Sequence, residues 1–160
     1  VSSLPSLRDY TDADLSEVVA LYTAAIHGLT GDHYTAAQRM AWAPLQPDLA
    51  GWRERLRGLR VLLAEERGVL AGFIAWDADG HIDLLFTAPA CARRGVAGML
   101  YARAEAALRA AGVGELRTEA SLVARPFFEG QGFDVVEVED VLRGGVSLRR
   151  FAMRKRLSAS

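Results

Sequence analysis

Along "GHIDLLFTAP", residues 80–89, two titratable side chains stand two positions apart. In an extended strand alternate residues share a face, so His81, Asp83 and Leu85 fall on one side and Ile82, Leu84 and Phe86 on the other, unless a bulge intervenes. An imidazole titrates near neutrality and can accept a proton at working pH. A carboxylate beside it can orient it, hold a cation or relay the proton. His81 also fits a solvated residue opening a strand after the "DADG" turn. Asp83 fits such a reading less well, because a mid-strand carboxylate between Ile82 and Leu84 needs water or a partner on its face. Glu119, in "RTEAS", is a further acid, or a structural partner for an arginine.

A second chemistry-bearing stretch is "APACARRGVAGMLYARAEAAL", residues 88–108, a glycine turn that runs into an alanine-rich helix. A dinucleotide fingerprint would need G-x-G-x-x-G after a parallel strand, and only Gly95 and Gly98 are present. A phosphate loop would need Gly-Lys-Ser/Thr, and "GVAGML" has neither lysine nor hydroxyl. The third reading uses the helix start alone. Free N–H groups and the positive end of the helix dipole attract an anion, and Gly95, Ala97 and Gly98 let a phosphate approach the backbone. A pyrophosphate fits, with Arg93 and Arg94 as added cations. The alternative is close helix–sheet packing with two solvated arginines.

The elements that must carry these residues follow from pattern. "SLPSLRDY" reads as a strand and "TDADLSEVVALYTAAIHGL" as a helix capped at Thr11 or Asp12. "GDHYTAAQRMAWAP" gives a short helix from Thr35 to Pro44, and "PDLAGWRERLRGL" another turn or two, whose Arg53, Arg55, Arg57 and Arg60 read as a solvated face. "RVLLAEE", "VLAGFIAW" and "HIDLLFT" form an antiparallel meander through turns at Arg67–Gly68 and "DADG". A helix over 95–111, the strand "ELRTEAS", a short helix in "VARPFFEGQG" and a strand pair around "RGG" at 143–145 complete the order. The fold class is α/β, with a mixed, mostly antiparallel sheet.

At 160 residues the chain fits a single domain over 1–160, with 156–160 as a frayed tail. Nineteen basic and twenty acidic residues leave a net charge of −1, which gives no excess for nucleic acid or an anionic membrane. The lone Cys91 forms no internal disulfide and no leader pattern opens the chain, so a reducing cytoplasm is the expected location. No metal site is expected.

The quoted turn, taken with "RDYTDADLSEVVALY", "LLAEERGVLAGFIAWDADGHIDLLFT", "LRTEASLVARPFFEGQGF" and "RFAMRKRL" in order, resembles the GNAT superfamily of acyl-CoA-dependent N-acetyltransferases over nearly the whole chain. The similarity extends to bacterial members with an "HY…W" segment, here His33-Tyr34 and Trp42, and an "RPFF…GF" segment. The resemblance implies a GNAT-type central sheet of about seven strands flanked by helices on both faces. It also implies acetyl-CoA as co-substrate, a small-molecule or peptide amine as acceptor, and a homodimer as the common assembly. A non-catalytic acyl-CoA-binding module is the alternative.

The family motif Gln/Arg-x-x-Gly-x-Gly/Ala falls on Ala92, Arg93, Arg94, Gly95, Val96 and Ala97, with Ala92 in place of the usual Gln or Arg. The implied cofactor contacts are this run with Gly98, the strand backbone at Phe86 and Thr87 along the pantetheine arm, and Phe128. That strand is expected to splay from its neighbour near Thr118–Ser121. The family's tyrosine, often the general acid, is replaced by Phe127-Phe128. Ser121 or Tyr34 would supply the proton, or the thiolate leaves with solvent help. The positions matching His81 and Asp83 carry the general base in relatives, which makes His81 the first candidate and Asp83 and Glu119 its companions. The acceptor is expected against the N-terminal helices and the "VLRGGVSLRR" hairpin, with His33, Tyr34 and Trp42 as its lining.

Overall fold

A computed structural model describes residues 4–158. The chain runs β1 (Ser6–Asp9), a 3₁₀ turn, α1 (Leu15–Leu29), α2 (Ala36–Trp42), α3 (Leu49–Arg57), β2 (Arg60–Glu66), β3 (Val69–Trp76) and β4 (His81–Thr87). A second 3₁₀ turn leads into α4 (Val96–Ala110), β5 (Glu115–Ser121), α5 (Arg125–Gly130), β6 (Asp134–Arg143) and β7 (Val146–Arg156). The expected order of elements is the observed one. Helix starts follow local chemistry: Thr35 and Gln38 form a reciprocal capping box before α2, and Asp48 accepts from Gly51 N before α3.

The seven strands lie in the order β1-β2-β3-β4-β5-β7-β6. Every neighbouring pair is antiparallel except β4 and β5. Strand alternation splits the core in two. Val61 and Leu63 pack with Val18, Val19, Tyr22 and Ile26 of α1 on one face, while Leu62 and Ala64 pack with Leu100, Tyr101 and Ala104 of α4 on the other. Phe127, Phe128 and Phe133 join Tyr101 in edge-to-face contacts at 5.1–6.3 Å, anchoring α5 to the α4 face.

Two features of β4 differ from a plain strand. Its parallel register with β5 covers only His81↔Arg117 and Ile82↔Thr118, where the Thr118 hydroxyl also donates to Ile82 O at 2.9 Å. Beyond that pair the strands part, as the resemblance implies. On its other edge Trp76 opposes Ile82 and Ala75 opposes Leu84, so Asp83 is the extra residue of a β-bulge. The bulge corrects the simple alternation. Ile82 and Leu85 pack toward α4, Leu84 and Phe86 toward α1, and His81 and Asp83 share the α1 side.

The tail is shorter than the expected 156–160. Arg156 pairs with Glu115 and Leu157 N donates to Gly114 O at 2.9 Å. Ser3 of the expected first strand, and Ala159 and Ser160 of the tail, lie outside the described residues. Among the described residues no helix is long and apolar enough to cross a membrane.

Candidate active site

The start of α4 is built to leave its backbone donors open. Arg93 and Gly95 both take positive φ, 62° and 84°, curling the chain back before the helix. No side chain caps this end. A Cβ built on Gly95 or Gly98 meets nothing within 4 Å, so the space above the first turn is open. That space is one end of a cavity of about 660 Å³ between the parted ends of β4 and β5. Phe86, Thr87, Ala92, Arg93, Gly95, Val96, Ala97, Gly98 and Phe128 all line it. The Val96 and Phe128 side chains are themselves buried in the core, so Val96 can offer a ligand little beyond its backbone.

Arg94 departs from the expectation. Its guanidinium donates to Glu66 at 2.8 Å, tying the turn to the end of β2 instead of facing the cavity. Arg93 therefore stands as the cation at the cradle. His33 also differs, lining this larger cavity and not the smaller one described next.

A cavity of about 170 Å³ lies on the α1 side of the splay, lined by Tyr34, Trp42, Asp83, Glu119 and Ser121 among others. Trp42, Phe86 and Ser121 line both cavities, so the two share a wall. The bulge aims Asp83 at α3, where it accepts from Arg55 Nε at 2.9 Å. Arg55, expected on a solvated face, thus turns toward the site while stacking 5.1 Å from the Trp52 ring. The signal for it was the need of Asp83 for a partner.

His81, the first candidate base, is not in the cavity wall. Its Nε2 lies 2.7 Å from Oε1 of Glu119, and the Glu119 carboxylate is the member of the pair that reaches the cavity. The hydrogen bond to Glu119 holds the imidazole above its ordinary range despite burial, and Asp83 and Asp77 push the same way. The same bond holds Glu119 below the usual carboxylate range, aided by Arg150 and opposed by desolvation and Asp83.

The two replacement donors separate cleanly. Tyr34 is buried, and its hydroxyl donates to Arg149 O at 2.7 Å and accepts from Leu122 N at 2.9 Å. Burial pushes this phenol up. Its oxygen ties β7 to the loop after β5 and has no free proton to give. Ser121 Oγ accepts from Ala124 N at 3.0 Å, which leaves its own O–H as a donor in the shared wall.

An open helix start, a cleft between parting strands and an adjoining acid-lined cavity that shares its wall make up the site. The sequence profile of the "Acetyltransferase (GNAT) domain" family matches residues 31–157. YafP of Escherichia coli K12, an uncharacterized N-acetyltransferase, is 33% identical over 151 residues, covering 92% of this chain and 93% of YafP. A Rhodopseudomonas palustris structure described as "GCN5-Related N-acetyltransferase: Aminotransferase, Class-II" superposes with a TM-score of 0.93 at 34% identity, covering 98% of each chain. The PaiA N-acetyltransferase of Thermoplasma acidophilum, in complex with coenzyme A, shares the fold at a TM-score of 0.77 and 19% identity, over 97% of this chain and all of that one (100%). The chain belongs to the GNAT acetyltransferase family.

Proposed function

We propose that this protein moves an acetyl group from acetyl-CoA to a primary amine by direct attack within a ternary complex. The observation that carries the reading is the wall of Trp42, Phe86 and Ser121 shared by the α4 cradle cavity and the Asp83–Glu119 cavity. The complex of the Thermoplasma relative with coenzyme A supports the choice of cofactor. The residues present fit such a group: uncapped N–H donors and Arg93 for phosphates, and the apolar walls of Leu85, Phe86 and Leu122 for the arm.

Acetyl-CoA, when bound, supplies a thioester whose carbonyl carbon accepts the amine lone pair as the C–S bond breaks. An ammonium has no lone pair, so the chain must first remove a proton. Asp83 and Glu119 attract the cationic amine into the smaller cavity. The proton enters at Glu119 and is held by the coupled Glu119–His81 pair, whose Oε1 and Nε2 lie 2.7 Å apart and in which Glu119 raises the basicity of the imidazole. His81 thus acts through Glu119. Ser121 donates its O–H toward the departing sulfur, in the role that Phe128 cannot fill.

The test is titration of acetyl-CoA into purified protein, followed by a thiol-release assay over a mixed panel of amines. Binding with amine-dependent release is expected. Binding without release from any amine would favour a non-catalytic acyl-CoA module, and no binding would overturn the reading of the turn.

A further inference from the structure

The smaller cavity holds more positive than negative charge. Arg55, Arg143, Arg149 and Arg150 line it beside Asp83 and Glu119. Most of these charges are matched within the chain. Arg55 pairs with Asp83 at 2.9 Å, Arg149 with Asp140 at 3.0 Å, Arg150 with Glu139 at 2.8 Å and Glu119 with His81 at 2.7 Å. Among the described residues no carboxylate lies within ion-pair distance of Arg143.

The backbone of Arg143, an exposed residue, is placed by its element. It is the last residue of β6 and faces Val146 across a two-residue turn in which Gly144 and Gly145 both take positive φ, 53° and 78°. Glycines at both central positions suit a tight hairpin whose twist matches its strands. The tip leans over the helices, so Arg143 also lines an adjoining cavity of about 290 Å³ with Tyr22, Trp42, Trp52 and Arg55. Burial raises the Tyr22 phenol, and the nearby charges of Arg55 and Arg143 oppose it. Only the Nε of Arg55 is engaged by Asp83, which leaves its terminal nitrogens as donors beside this second cavity.

We propose that the acceptor amine carries an oxyanion, a carboxylate or phosphonate, and that Arg143 binds it with Arg55 as second donor while the amine lies at Asp83 and Glu119. The inference rests on the acetyl-transfer reading and names its substrate class: a zwitterionic amine. A planar guanidinium matches a carboxylate through paired N–H bonds, and Arg143, which has no carboxylate partner among the described residues, gains one from such a substrate.

The experiment compares straight-chain ω-aminocarboxylates and ω-aminophosphonates with alkylamines of equal length. The kcat/KM is read by thiol release, and affinity is read separately by calorimetry on the protein saturated with coenzyme A. At the best length the acid-bearing amine should be preferred by roughly 10- to 100-fold, the scale of a charge-assisted hydrogen bond. Arg143→Ala should abolish the preference while coenzyme A still binds, and Arg143→Lys should restore part of it. Whether carboxylate or phosphonate wins identifies the oxyanion. A preference in binding without turnover would support the proposal and overturn the catalytic reading. Turnover of plain amines with no acid preference, or a preference that survives Arg143→Ala, would overturn the proposal and leave the catalytic reading standing.

Discussion

His81 and Glu119 act as one titrating unit, and the pH dependence of the protein follows from their bond. The pair is faced by Asp77 and Asp83, which favour the charged imidazole, and by Arg150, which favours the charged carboxylate. Proton uptake needs neutral His81, so kcat/KM should rise with pH through a value above the ordinary imidazole figure of about 6.5. In Glu119→Gln the largest cause of that elevation is gone. The inflection should shift down toward the ordinary value, and the rate near neutrality should fall by roughly 100-fold, as should that of His81→Gln. A pH–rate series on the three proteins checks this, and an unmoved inflection in Glu119→Gln would remove His81 from the proton path. Stability follows the opposite limb of the titration. The contribution of the raised imidazole is fully present below its unfolded value and is lost as pH rises through the folded one. That of the lowered carboxylate is present above its unfolded value and is lost as pH falls through the folded one.

At the level of elements, the site exists because β4 and β5 part after a single pair of parallel steps. Tyr34 braces the β5 side of the cleft, since its hydroxyl ties β7 at Arg149 O to the chain leaving β5 at Leu122 N. Tyr34→Phe leaves two backbone groups without that partner and should lower unfolding stability by about 1–3 kcal/mol, seen as a lower denaturant midpoint with an unchanged slope. A variant as stable as the wild type would mean that water takes the place of the hydroxyl. Little of this clamp was legible in the sequence. The strands, helices and their order could be read from periodicity and caps, because those signals are local. The partners of Tyr34 lie 88 and 115 residues away, and no local pattern announces them. The bulge at Asp83 is similar: alternation put His81 and Asp83 on one face, but only pairing with β3 shows that Leu84 joins them. Arg55 read as part of a solvated face for the same reason, whereas the hairpin that carries Arg143 was expected beside the acceptor although no pattern singled out that arginine.

The whole molecule is two cores on either side of one sheet, and the cleft between β4 and β5 interrupts the layer that joins them. Residues from α1, β4, the turn before α4, and α5 meet around the larger cavity. A ligand there bridges both cores, so its binding should stabilise the entire fold and not a single loop. Binding to the native state alone adds about 2.7 kcal/mol at a ligand concentration of 100 Kd. For a chain of this size that should raise the melting temperature by about 5–10 °C, in one cooperative transition. Gly95→Val tests the source of the gain. Gly95 holds a φ of 84°, and a side chain there would enter the open space above the α4 donors. The variant should melt somewhat lower without ligand, because a branched residue is strained at that φ. It should also lose most of the rise that acetyl-CoA gives the wild type. Thermal melts of both proteins across an acetyl-CoA series measure the two effects separately. An undiminished rise in Gly95→Val would place the phosphates away from the helix start, and the cradle would then have to be sought along Arg93 and the strand edge alone.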